Sequence, residues 1–176
     1  MASPLLFKKV SFEDSFDLYE IMSDNVEYQA FKRNQQYWEN FCKFAEEHKD
    51  TELSWIVKKN SDGKSIAFIS FSRTCPMSNS LVRNKQFQWK EGDLVLSLYI
   101  KKEFQGLGLG KIILKESSSS LLPSHNRVVF ASTYTKNIVA NKFFVKEGFT
   151  LVASGMIKGS HISLYRKAFP VIILRN

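Results

Sequence analysis

The segment Phe104-Gln-Gly-Leu-Gly-Leu-Gly-Lys111 restricts the fold more than any other, because of what stands on either side of it. Before it, Asp93–Ile100 alternates. Leu94, Leu96, Leu98 and Ile100 share one face, and Asp93, Val95, Ser97 and Tyr99 share the other. After it, Lys111-Ile-Ile-Leu-Lys-Glu continues as a helix. Glycine allows the backbone to turn tightly and to approach a ligand with no Cβ in the way. The first amides of a helix lack internal acceptors and sit at the positive end of its dipole. A strand that turns through glycines into a helix is therefore an anion site suited to a pyrophosphate.

The rest of the chain reads as one mixed domain over residues 1–176, with no internal repeat and no dividing linker. Leu5–Val10 is a first strand. Ser11-Phe-Glu-Asp is a capping-box-like start for a helix reaching about Met22, with Phe12, Phe16 and Tyr19 at i, i+4 and i+7 as its apolar stripe. A second helical region spans Val26–Glu47, with Phe31, Trp38, Phe41 and Ala45 in phase. Ser54–Lys59 and Lys64–Arg73 are strand-like runs joined through Asp62-Gly63, a hairpin signal. Thr74–Gly92 reads as a loop. Downstream, Ser117–Ser120 ends the glycine-led helix before Pro123, Arg127–Tyr134 is a strand and Asn137–Glu147 a helix closed by Gly148. Phe149–Ile157 and His161–Lys167 form a last strand pair.

Three phosphate-binding patterns compete for the glycine segment. A Walker A loop fails because Gln105 stands where its first glycine belongs and Ile112 where Ser or Thr would hold magnesium. The dinucleotide fingerprint lacks its third glycine. The pattern [Q/R]-x-x-G-x-[G/A] is matched by Gln105-x-x-Gly108-x-Gly110, and it resembles the coenzyme A pyrophosphate loop of the GNAT N-acetyltransferase superfamily. Downstream, Asn137-x-x-Ala140-x-x-Phe143-Phe144-x-Lys146-x-Gly148-Phe149 is similar to that family's second signature, and the order of elements agrees.

The resemblance implies an α/β (α+β) fold. Its sheet has about seven mostly antiparallel strands flanked by about four helices, with a splayed parallel pair at the centre. It implies acetyl-CoA as acyl donor and no metal. Main chain of Leu98, Tyr99 and Ile100 would bind the pantetheine arm, with the amide of Leu98 or Tyr99 stabilising the oxyanion. Gln105, Gly106, Leu107, Gly108, Leu109, Gly110 and Lys111 would hold the pyrophosphate. Asn137 would touch the arm, or cap its helix, or do both. Lys142 and Lys146 lie toward the nucleotide end. Attack requires a deprotonated amine; Asp93 is the first candidate base, with Glu91 and His161 behind it. Phe144 stands at a cofactor-contacting position where many members carry the tyrosine that protonates the departing thiolate. Phenylalanine cannot do this, which leaves Tyr134 as a replacement acid, or release of the thiolate to solvent, or a chain that binds acyl-CoA without turnover.

Charge and cysteine usage bound the partners. Residues 1–82 carry 10 basic and 12 acidic side chains, whereas residues 83–176 carry 15 and 5. The basic half is the one that would hold a polyanionic cofactor. A nucleic-acid-binding reading rests on that charge alone, since no nucleic-acid module is recognisable. The acids Glu13, Asp14, Asp17, Glu20, Asp24 and Glu27 suggest an anionic wall facing a cationic amine, a small molecule or a peptide, with Tyr28, Phe31, Tyr37 and Trp38 nearby. Cys42 and Cys75 are too few for a disulfide framework or a four-ligand zinc site. No apolar run reaches the roughly 18 residues of a membrane helix, and no secretory signal is visible. The expected setting is cytoplasmic, with a coenzyme A thioester and an amine as partners, a homodimer admitted, and neither nucleic acid nor membrane.

Overall fold

The alternating runs pair as strands and the helical-period segments coil, as their patterns require. The computed structural model describes residues 4–25, 33–48, 52–73, 90, 92–122, 127–157 and 159–169. In chain order the elements are β1 (Leu5–Lys9), α1 (Ser15–Ser23), α2 (Gln35–Glu47), β2 (Leu53–Lys59), β3 (Ser65–Ser72), β4 (Leu94–Ile100), α3 (Leu109–Ser120), β5 (Arg127–Tyr134), α4 (Ile138–Lys146), β6 (Thr150–Ile157) and β7 (Ser160–Phe169). The seven strands form one sheet in the order β1-β2-β3-β4-β5-β7-β6. It is mostly antiparallel, and β4 with β5 is the parallel pair. That parallel pairing covers only Leu94–Leu96 against Val129–Ala131, although both strands run on beyond it. The expected mixed architecture is the one found.

Contacts divide the chain into two compact units, residues 1–71 with 97–121 and residues 72–96 with 122–176. In the first, the hairpin between β2 and β3 turns through Asp62-Gly63 as its sequence predicts. Gly63 has φ +70°, and the Asp62 carboxylate accepts the Lys64 amide at 3.0 Å. Ile56 pairs directly with Phe68 across this hairpin, and both join the core beneath α1 and α2. From α2, Trp38, Cys42 and Ala45 face inward, and Phe41 adds an edge contact to Phe68 at 6.0 Å. Phe31 and Tyr28 lie outside the described residues. Burial pushes the Cys42 thiol up to about 12, with Asp14 and Glu46 adding to the effect and Lys8 opposing it, so this cysteine stays protonated and inert. Cys75 lies outside the described residues.

The apolar stripe of α1 differs from the expected one. Leu18, Ile21 and Met22 are buried, whereas Phe12 and Phe16 are 50% and 56% exposed. Phe12 belongs to a 3₁₀ turn, Phe12–Asp14, and the α-helix starts only at Ser15, which shifts the phase of the aromatic spacing. The turn is held as the capping pattern predicts: the Asp14 carboxylate accepts the Ser11 amide at 2.9 Å and the Lys8 ammonium at 2.8 Å. In α3 the serines extend the last turn. The hydroxyls of Ser117, Ser118 and Ser119 each donate to a carbonyl three residues back.

In the second unit, β5 pairs with β7 along its whole length, from Arg127 opposite Phe169 to Tyr134 opposite Ile162. Val95, Phe130, Ala153 and Leu164 form one core cluster. A second group packs Phe144 edge-on against Phe149 and at a tilt against Tyr165, with ring centroids 5.3 Å apart in both pairs. Gly148 at φ +80° ends α4 while the Phe149 amide returns to the Phe144 carbonyl, the expected left-handed helix cap. Among the described residues no helix is long and apolar enough to cross a membrane.

These assignments predict opposite outcomes for two neighbours on α1. Ile21→Ala should cost about 2–5 kcal/mol of unfolding free energy in urea titrations. Phe16→Ala should change it by less than about 0.5 kcal/mol, the opposite of what the aromatic spacing alone implies.

Candidate functional site

The first unit contains the glycine segment with the end of β4. After Ile100 the chain makes a 3₁₀ turn, Lys102–Phe104, and then two left-handed steps, Gly106 at φ +77° and Gly108 at φ +76°. A side chain at either glycine would meet no atom within 4 Å, so these glycines are required by conformation, and the space beside them is open. Gly108 is the N-cap of α3 and offers no side chain to its amides, so the positive end of that helix is uncapped. Leu107, between the glycines, is 65% exposed.

Backbone alternation assigns the edges of β4. The Lys101 amide donates to the Ile66 carbonyl of β3 at 2.9 Å. Tyr99 and Ser97 then face β3 as well, and Leu98 and Ile100 face the opposite edge, the one on which Leu94–Leu96 meets β5. The Ile100 carbonyl on that edge is occupied by the Gln105 side-chain amide at 2.8 Å. Of the two amides expected to serve an oxyanion, Leu98 has the outward orientation, and the Tyr99 ring packs against the core beneath α1 and α2.

The second unit contains the remaining predicted residues. Asn137 caps α4, accepting the Ala140 amide at 2.9 Å. Phe144 is buried in the aromatic group with Tyr165 and Phe149. Asp93 is buried, and its carboxylate accepts the Lys90 amide at 2.8 Å while its own amide returns to the Lys90 carbonyl, which closes a turn ahead of β4. Tyr134 ends β5 half-buried, with the Lys136 ammonium 5.8 Å from its ring centre. Lys142, Lys146 and His161 are exposed. Glu91 lies outside the described residues.

The anionic wall expected on α1 is largely neutralised. Asp14 is paired with Lys8, Asp17 with Lys58 and the Ser65 hydroxyl, and Glu20 with Lys101 at 2.7 Å. Helical spacing could place the acids on one helix but could not show the lysines of β1, β2 and the β4 end that meet them. Glu13 and Asp24 are exposed, and Glu27 lies outside the described residues. Sequence reasoning also missed Asn25, Lys101 and Asn141. The Asn141 side chain accepts the buried Tyr165 hydroxyl at 2.7 Å and donates to the Tyr134 and Thr135 carbonyls. Its spacing of four residues from Asn137 on one helix face was the only advance signal. Among the described residues no three His, Cys, Asp or Glu side chains cluster as metal ligands do.

A doubly left-handed glycine turn that opens directly into a helix with no side-chain cap is the kind of main-chain arrangement that suits an anion. The family model for the GNAT acetyltransferase family matches residues 16–149, and the chain belongs to that family. Among solved structures it is similar to an acetyltransferase from Thermus thermophilus, with 17% identity, a TM-score of 0.70 and coverage of 95% of this chain and 98% of that one. It is similar to a GNAT-family acetyltransferase from Streptococcus pneumoniae, with 18% identity, a TM-score of 0.62 and coverage of 94% and 99%. It also resembles a microcin self-immunity acetyltransferase in complex with acetyl-CoA and AMP, with 15% identity, a TM-score of 0.62 and coverage of 96% and 94%. No curated protein matches the chain in sequence.

The left-handed turn predicts a measurable cost. Gly108→Ala forces an L side chain to φ +76° and should lose about 1–2 kcal/mol in denaturant unfolding, with no steric contact to blame.

Proposed function

We propose that the chain transfers an acetyl group from acetyl-CoA to an amine by direct attack of the amine nitrogen on the thioester carbonyl. The observation that carries this reading is the outward edge of β4 at Leu98, followed at once by the glycine turn and the uncapped start of α3. The Leu98 main chain pairs with the pantetheine arm, and its amide donates to the oxygen on which negative charge develops. The amides opening α3, with Gly106–Lys111, hold the diphosphate. Asn137, whose side chain caps α4 by accepting the Ala140 amide, is proposed to touch the pantetheine arm as well. Membership of an acetyltransferase family and the acetyl-CoA complex of one structural neighbour support the donor.

The amine must lose a proton before it attacks, and the departing sulfur must gain one. Asp93 is proposed as the base and Tyr134 as the acid. With most of the α1 acids paired to lysines, the acceptor is a primary amine on a small molecule or peptide, chosen by groups other than that helix face.

Calorimetry with coenzyme A and acetyl-CoA tests the donor. Binding to the native state should raise stability by about 2.7 kcal/mol at a hundredfold excess over Kd, read as a higher Tm. Folded protein that ignores both ligands at millimolar levels would remove the reading. Thiol release in the presence of an amine panel then tests turnover. Asp93→Asn should lower kcat with the Tm nearly kept if the carboxylate moves protons. A lower Tm with kcat intact leaves it as the turn-closing group seen on Lys90.

A second reading has one observation in its favour. Residue 144 is a phenylalanine, which has no hydroxyl to give, and its ring is buried among aromatic neighbours. A catalytically silent acyl-CoA-binding module would bind the thioester tightly, release no thiol with any amine, and show no change on Tyr134→Phe. An active enzyme should lose roughly tenfold or more in kcat in that variant, within the range for general acid catalysis.

A further inference from the structure

Asn25 lies just past the end of α1 and 80 residues from Gln105, yet the two side chains meet. We propose that Asn25 is a positioning residue for the diphosphate-binding loop, acting through Gln105. The proposal rests on the donor-site reading above and deepens it.

Gln105 stands at the root of the loop, one residue before its first left-handed glycine. Its side-chain nitrogen donates to the Ile100 carbonyl at 2.8 Å and lies 3.4 Å from the Asn25 side-chain oxygen. A primary amide has two N–H donors. Both are directed at protein acceptors, so the Gln105 side chain has none left for an anion, which falls to the main-chain amides and Lys111. Gln105 is thus a strut that joins the two ends of residues 100–105.

The far end of that strut is fixed by α1. The Asn25 side-chain nitrogen donates to the Ile21 carbonyl at 2.7 Å, satisfying a carbonyl that the last helical turn leaves open, and stands 3.5 Å from the Ile100 carbonyl. A second tie runs parallel to it. Lys101, whose side chain is only 9% exposed, pairs with Glu20 at 2.7 Å. Residues on both sides of the Ile100–Lys101 peptide bond are therefore held by α1. Main-chain amides bind an anion tightly only when they are held within about 0.5 Å of the productive position. Helix α1 and the Asn25 that follows it do this as a splint.

A double-mutant cycle tests the proposal, with coenzyme A as the probe and calorimetry as the readout. Gln105→Ala and Asn25→Ala should each weaken binding about three- to tenfold, the loss expected for one hydrogen bond's worth of positioning. The double variant should bind no more than about twofold worse than the weaker single, because both act through one strut. With an acceptor from the amine panel, KM for acetyl-CoA should rise while kcat stays within about twofold, a split that general loosening of the fold does not produce. If Asn25→Ala does not fold, Asn25→Ser takes its place, keeping a donor for the helix end while removing the amide oxygen that faces Gln105. Losses that multiply in the double variant, or single variants that bind as wild type, overturn the proposal. Wild-type protein that fails to bind coenzyme A sinks the donor-site reading itself, a separate result.

Discussion

Everything between β4 and α3 depends on where the main-chain groups of β4 find partners. A strand inside a sheet must satisfy two rows of hydrogen bonds, and buried groups without partners are costly. On its inner side β4 neighbours β3, and just past the strand the Lys101 amide donates to the Ile66 carbonyl. The outer row is satisfied by β5 only through Leu96. Beyond it the chain deals with each remaining group differently: the Ile100 carbonyl takes the Gln105 amide, and Leu98 keeps its outward orientation. The glycine turn follows immediately, so the unpaired edge and the uncapped α3 come from one stretch of chain.

Much of this was legible in the sequence because it is local. The alternation of residues 93–100, the glycine spacing and the apolar phase of residues 137–149 are short-range patterns, and short-range geometry decides strand, turn and helix. The Asp62-Gly63 hairpin and the Gly148 cap belong to the same group, since each depends on one residue at positive φ.

What was not legible depends on neighbours distant in the chain. The face of α1 was misjudged because a 3₁₀ turn, invisible in hydrophobic spacing, moved the start of the helix past Phe12. The acids of α1 read as an exposed wall because their lysine partners sit on β1, β2 and the end of β4. Asn25 had no signature at all: an asparagine after a helix usually means only a helix end. Phe144 was recognised as a departure from the family pattern, but its aromatic neighbours Phe149 and Tyr165 show why a polar ring there would have to be accommodated inside a core.

Helix α3 begins at a glycine that lends it no side-chain oxygen, so the polypeptide leaves one end of it unfinished. Whatever negative group settles there completes the helix as a serine or aspartate does elsewhere. On the proposed reading, binding would then do at this helix what a side-chain cap does at α2, where Asn34 accepts the Tyr37 amide.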